Sequence, residues 1–100
     1  MWQKVAKVNE VEDSTGKVVE VNGQQVALFK VGGTFYAIDN ICHHRGGPLA
    51  EGYLEEGVVT CPWHAWTYDV KTGACQSVPD VKQKCFKVKV EGEDILVETA

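Results

Sequence analysis

Short apolar runs, many of them rich in β-branched or aromatic side chains, alternate with polar turn sequences along the whole chain. Val, Ile, Phe, Tyr and Trp favour strands, whereas Gly, Asn and Asp favour the turns that end them. The pattern predicts eight strands, at residues 2–8, 17–21, 25–31, 34–39, 58–61, 65–69, 85–90 and 95–98.

Turn signals separate these runs at short intervals. The pairs Asn22-Gly23 and Gly32-Gly33 are typical of two-residue hairpin turns. Glycines in 69–74 and 91–94 predict further turns, and 49–57 could hold one turn of helix. The sequence therefore predicts one all-β domain over residues 1–100, an antiparallel sandwich or a partly open barrel.

Composition narrows the possible partners and compartment. The chain has 100 residues, of which 44% are hydrophobic and 24% charged, and its net charge of −4 comes without a basic run. This argues against binding to nucleic acid or to an anionic membrane. No apolar stretch has membrane-spanning length, and no signal peptide is evident, so we expect a cytoplasmic protein. In that compartment, Cys and His clusters indicate metal or redox sites.

All three histidines lie in two short stretches, "CHHRGGPL" (42–49) and "CPWH" (61–64). Cys42, His44, Cys61 and His64 form C-x-H, sixteen intervening residues and C-x-x-H. Two occupants are open, a tetrahedral zinc ion or a [2Fe–2S] cluster with two Cys and two His ligands. Zinc modules usually pair histidine with histidine, so one Cys and one His on each stretch favour the two-iron unit.

The stretches "CHHRGGPLAEG" and "CPWHAWTYDVKTG" resemble the two cluster loops of Rieske-type [2Fe–2S] ferredoxins, especially those of bacterial aromatic-ring dioxygenases. The resemblance implies a small Rieske-like fold with a cluster-binding subdomain of two loops, at about residues 40–69. It implies Cys42 and Cys61 as thiolate ligands of one iron and His44 and His64 as imidazole ligands of the other. One [2Fe–2S] cluster per chain would be the cofactor.

The same resemblance implies an electron-transfer protein rather than an enzyme. It would be a monomeric one-electron carrier between a flavoprotein reductase and a terminal oxygenase, as part of a dioxygenase system. Two alternatives stay open: an electron-transfer subunit of a nitrite-reductase-like enzyme, and a structural zinc-binding interaction domain. The two stretches lack the additional disulfide cysteines of high-potential Rieske proteins, so we expect a reduction potential of roughly −150 mV.

Three residues outside the motif have interpretations of their own. Cys75 and Cys85 are not at ligand spacing, and we interpret both as unpaired thiols. Pro79, in "SVPDV", resembles the proline of the loop that covers the cluster in the same family, although a plain turn proline is the alternative.

Overall fold

The computed structural model describes residues 2–13, 15–41, 48–63, 66–78 and 80–98. Within these ranges the chain forms ten strands and two short 3₁₀ turns, at Val8–Glu10 and Leu49–Glu51, and no α-helix. The all-β prediction is therefore confirmed. The strands are β1 Trp2–Lys7, β2 Gly16–Val21, β3 Gln24–Val31, β4 Thr34–Asp39, β5 Tyr53–Glu55, β6 Val58–Thr60, β7 Thr67–Asp69, β8 Cys85–Phe86, β9 Val88–Glu91 and β10 Asp94–Glu98.

Three antiparallel sheets make up the fold. Their strand orders are β1-β10-β9, β2-β3-β4-β8 and β5-β6-β7. In the described part of the chain these sheets are not closed into a barrel, which agrees with the predicted antiparallel sandwich or partly open barrel. We call β5-β6-β7 the site sheet, because Cys61 follows its middle strand directly.

Strand β3 lies between two hydrophobic cores, and this explains its continuous apolar sequence. Ala27 and Phe29 are buried in what we call the site-side core, whereas Val26 and Leu28 are buried in the far core. Antiparallel strands usually alternate apolar and polar residues because one face meets water. In the middle of β3, at residues 26–29, both faces are buried, so apolar residues follow one another there. The site-side core also contains Ile38, Leu49, Ala50, Leu54, Val59, Cys61, Tyr68, Val70 and Cys75. The far core also contains Ala6, Val11, Val19, Val21, Ala37, Ile95 and Val97.

The predicted hairpin turns around β3 are confirmed. Asn22 and Gly23 both have positive φ, at 52° and 79°, and Gly32 and Gly33 have φ of 57° and 83°. Two consecutive positive φ values are what a type I′ turn requires, and that turn matches the twist of the flanking strands. The resulting register pairs Val21 with Gln24 and Val31 with Thr34.

Two predicted segments differ from the structure. The possible helical turn over 49–57 is only a 3₁₀ turn at its start; the rest forms the β5–β6 hairpin, which turns at Glu56 and Gly57 with φ of 51° and 80°. The single strand predicted at 85–90 is divided at Lys87, because β8 pairs with β4 whereas β9 pairs with β10. The chain passes from one sheet to another at that residue. Val90, in β9, is 45% exposed.

Residues 40–84 leave the sheet β2-β3-β4-β8, which we call the central sheet, and the chain then returns to that sheet at the same place. They begin after β4 and end before β8, and β8 pairs with β4 through Ile38 and Cys85. The Asp39 N–H donates to the Lys84 carbonyl at 2.9 Å, next to this pairing. Both Cys/His stretches lie within this excursion, so the central sheet holds its two ends together.

Candidate metal centre

The structure describes one of the four predicted ligands. Cys61 comes directly after β6, is 2% exposed and packs in the site-side core. Cys42, His44 and His64 lie outside the described residues, so their roles stay predictions. We call residues 42–47 and 62–65 the first and second motif segments. The residues that flank these two segments show how closely the segments approach each other.

Hydrogen bonds join the two ends of the first motif segment. Ile41 and Pro48 form an antiparallel bridge. The Leu49 N–H donates to the Asn40 carbonyl at 2.8 Å, and the Ala50 N–H donates to Asn40 Oδ1 at 2.8 Å. The residues that flank the first motif segment, 40–41 and 48–50, are therefore bonded to one another, and we call them the first neck.

A second neck closes the other motif segment. The Cys61 N–H donates to the Trp66 carbonyl at 2.8 Å, so the two residues that flank this segment also meet, and we call this pair the second neck. The two tryptophans that flank the predicted ligand His64 differ in burial. Trp66 packs against the site-side core, whereas Trp63 is 53% exposed.

The two necks lie side by side at one end of the site sheet. Tyr53, at the start of β5, pairs with Thr60, the last residue of β6. Gly52 fills the space between the necks so closely that a Cβ there would collide with the Thr60 carbonyl oxygen. The end of the first motif segment therefore adjoins the start of the second, as a group held jointly by both segments requires.

A third stretch of chain packs beside the second neck. The Gln76 N–H donates to the Thr67 carbonyl at 2.8 Å, and the Thr67 N–H donates to Ser77 Oγ at 3.1 Å. The Cys75 N–H donates to the Val81 carbonyl at 2.9 Å and closes this stretch into a compact turn. Pro79 lies outside the described residues, so its predicted covering role is not tested.

The two remaining cysteines, Cys75 and Cys85, are both free thiols, as predicted. Cys75 is buried, and its Sγ accepts a hydrogen bond from the Val78 N–H at 3.4 Å. Cys85 is an exposed residue, but its sulfur lies near the Lys71 carbonyl. Partial burial raises the pKa of the Cys85 thiol, Lys82 opposes that change, and Asp69 adds to it. The pKa of Tyr53 is raised by its hydrogen bond to Glu55 and by that carboxylate's charge.

Sequence analysis missed two residues that hold the first neck. Asn40 and Gln83 are buried polar residues, at 1% and 4% exposure. Asn40 stands beside the motif, where it resembles an ordinary turn residue, and Gln83 is about forty residues away along the chain. In this sequence, the position of Asn40 next to the motif was the one available signal.

Comparison with known proteins places the chain in a family. A family model for the Rieske [2Fe-2S] domain matches residues 1–97. The ferredoxin component of the naphthalene 1,2-dioxygenase/salicylate 5-hydroxylase systems of Ralstonia sp. is 33% identical over 98 residues, covering 97% of this chain and 94% of the relative.

Solved structures agree with that match. One is a chain in the complex of reduced oxygenase and oxidized ferredoxin in carbazole 1,9a-dioxygenase, with a TM-score of 0.88, 33% identity, and coverage of 96% of this chain and 91% of that one. Another is a putative NADH-dependent nitrite reductase small subunit from Mycobacterium tuberculosis, with a TM-score of 0.92, 22% identity, and coverage of 100% and 96%. At that identity, the second likeness shows the fold alone.

The chain belongs to the Rieske [2Fe–2S] family. It is a Rieske-type ferredoxin, an electron-transfer protein rather than an enzyme in its own right, and its cofactor is a [2Fe–2S] cluster. The described residues fit that cofactor, because a buried sulfur donor stands where two adjoining necks meet. The family match, which specifies a [2Fe–2S] domain, does not support the zinc alternative. In the described part of the chain, no helix is long and apolar enough to cross a membrane.

Proposed function

We propose that this ferredoxin passes single electrons from a flavoprotein reductase to the terminal oxygenase of an aromatic-ring dioxygenase system. The observation that carries the proposal is the match, over 97% of the chain and 94% of the relative, to a dioxygenase ferredoxin component. The likeness to a chain in an oxygenase–ferredoxin complex supports the oxygenase as the electron acceptor. We propose further that the protein is a monomer and is located in the cytoplasm.

The proposed ligand set is Cys42, His44, Cys61 and His64. When bound, a [2Fe–2S] cluster accepts and releases one electron. The position of Cys61 supports its role, since this buried sulfur stands at the start of the second motif segment, beside the end of the first. The side-by-side necks support joint ligation by both motif segments.

The chain's own residues determine how negative the centre is. Two thiolate ligands and two neutral imidazoles leave fewer negative charges at the centre than four thiolates would. Fewer negative charges make reduction easier, and histidine ligation accordingly raises the potential of such centres. The expected potential stays at roughly −150 mV, near the lower end of the Rieske range.

Electron paramagnetic resonance tests the cofactor and its ligands. Purified protein should contain two irons and two sulfides per chain, and the reduced form should give the rhombic signal of an imidazole-ligated cluster. His44→Cys should lower the potential or abolish binding of the cluster, because it adds a negative donor. A colourless protein with one zinc per chain, or an unchanged His44→Cys spectrum, would contradict the ligand set.

Reconstitution tests the carrier role. Addition of the ferredoxin to a reductase and an aromatic-ring oxygenase should restore turnover that neither enzyme supports alone. Gel filtration should show a monomer, and the protein should be recovered in the cytoplasmic fraction. Stable co-elution with a larger nitrite-reducing enzyme would contradict the free carrier and favour the subunit alternative, for which the present support is the shared fold.

A further inference from the structure

We infer that Asn40 and Gln83 are positioning residues that fix the start of the first motif segment. They thereby hold the point at which the chain enters the segment that carries the proposed ligands Cys42 and His44. The inference rests on the proposed ligand set and adds two residues that lie outside both Cys/His motifs in the sequence.

Asn40 ties the first neck together with its side chain and its backbone. Its Oδ1 accepts from the Ala50 N–H at 2.8 Å, and its carbonyl accepts from the Leu49 N–H at 2.8 Å. Its Nδ2 donates to Gln25 Oε1 at 3.1 Å, and its N–H donates to the Gln25 carbonyl at 3.2 Å. Asn40, just before the motif segment, therefore binds both the chain after that segment and the start of β3.

Gln83 holds the same neck from the other side. Its Nε2 donates to the Asp39 carbonyl at 3.0 Å and to the Ile41 carbonyl at 2.7 Å. These two carbonyls lie on either side of Asn40 in sequence. The backbone N–H of Gln83 donates to the Gly73 carbonyl at 2.7 Å, so the backbone of Gln83 is itself held by the turn that follows the site sheet.

The placement of these bonds indicates a role beyond filling the core. Asn40 and Gln83 are the buried polar residues of the described chain, and each buried side-chain nitrogen or oxygen there has a partner. A buried amide is stabilising only when its hydrogen bonds are made, whereas an apolar side chain of the same size would have no such requirement. The side-chain bonds of Gln83 both reach the neck, and Cys42 follows two residues after Asn40. Partners outside the ligand shell often orient ligands in this way.

The test compares Gln83→Met with Gln3→Met in the cluster-loaded protein. Methionine keeps the length of the side chain and removes the donor. Gln3 offers a control in a different sheet, because it lies on β1 and its Nε2 donates to the Glu20 carbonyl at 3.2 Å in an exposed hydrogen bond. Loss of the two buried bonds should speed chelator-induced cluster release about tenfold in Gln83→Met. It should also shift the reduction potential and the g values, and the control should show none of these changes.

Asn40→Leu provides a second variant, which should change the same three properties in the same way. Lower thermal stability with an unchanged potential and unchanged g values would show a merely structural role and would overturn the inference. If either variant retains no cluster, circular dichroism distinguishes two outcomes. A native spectrum would support the inference, because the ligand loop would then be misplaced in a folded protein. An unfolded spectrum would overturn the inference. A wild-type protein without the Rieske signal would instead refute the proposed function, so the two failures are distinguishable.

Discussion

Cys61 and Cys75 share the site-side core, yet their surroundings differ. Cys75 Sγ accepts a hydrogen bond from the Val78 N–H within a compact turn. Cys61 stands at the mouth of the second motif segment, beside the end of the first. Burial alone therefore does not separate a proposed ligand from a packed thiol; position relative to the two necks does.

The pair provides a matched test at the residue scale. Cys61→Ser should release the iron almost completely, because serine replaces a thiolate donor with a poor ligand for this cluster. Cys75→Ser should retain the cluster and lose about 1–2 kcal/mol of stability, since its hydroxyl can still accept the Val78 hydrogen bond. Iron analysis and chemical denaturation measure the two effects. Full cluster content in Cys61→Ser would contradict its proposed role.

Cys85 yields a prediction about pH. Because burial of its sulfur raises the pKa of the thiol, the folded protein holds less reactive thiolate near neutral pH than an unperturbed cysteine would. Alkylation by iodoacetamide should be slower at Cys85 than at glutathione and should keep rising at pH values where the glutathione rate has levelled off. Mass spectrometry of the labelled peptide measures the rate. A profile identical to that of glutathione would contradict the raised pKa.

At the scale of elements, the β5–β6 hairpin brings the two motif segments together. Its pairing of Tyr53 with Thr60 aligns the start of one strand with the end of the next. Gly52 lies where the two necks touch, and its φ of −76° is open to any residue. Space rather than backbone conformation therefore requires glycine here.

Gly52→Ala should separate the necks, because the added Cβ meets the backbone oxygens of Thr60 and Leu49. We expect a loss of about 2–3 kcal/mol and an altered resonance spectrum of the loaded protein. Gly32→Ala is the control: its φ of 57° is strained for alanine, but its Cβ would meet nothing within 4 Å. It should cost about 1 kcal/mol and leave the spectrum unchanged. Equal effects of the two substitutions would contradict the close contact of the necks.

Local signals explain what could be predicted from the sequence. The Asn22-Gly23 and Gly32-Gly33 turns and the extent of β4 depend on neighbouring residues, and the motif itself is visible in the letters. Strand β5 was missed because three residues are too few to establish an alternating pattern. The division at Lys87 depends on which sheet each half joins, and the hydrogen bonds of Gln83 span more than forty positions. Such long-range choices leave no local trace.

At the scale of the whole molecule, three sheets enclose two cores that share β3, and the proposed cofactor adjoins only one of them. A bound group stabilises most strongly the parts of the fold that contact it. The influence of the cofactor on stability should therefore be uneven across the molecule.

Removal of the cluster should reveal this difference. Amide hydrogen exchange in β6 and β7 should accelerate at least about tenfold in the apo protein, whereas β9 and β10, in the sheet on the far side of β3, should change by less than about threefold. Exchange measured by mass spectrometry on both forms tests this directly. Uniform acceleration would show that the two cores open as one unit.

Residue 84 lies beside residue 39, the last residue of β4, and this arrangement has a practical consequence. Only two chain connections, one hydrogen bond apart, join this stretch to its supporting sheets. The stretch also shares the site-side core with Ala27, Phe29 and Ile38 of those sheets. An exchange of residues 40–84 for the matching stretch of a relative with another potential would therefore have to preserve the side chains that pack on these three residues.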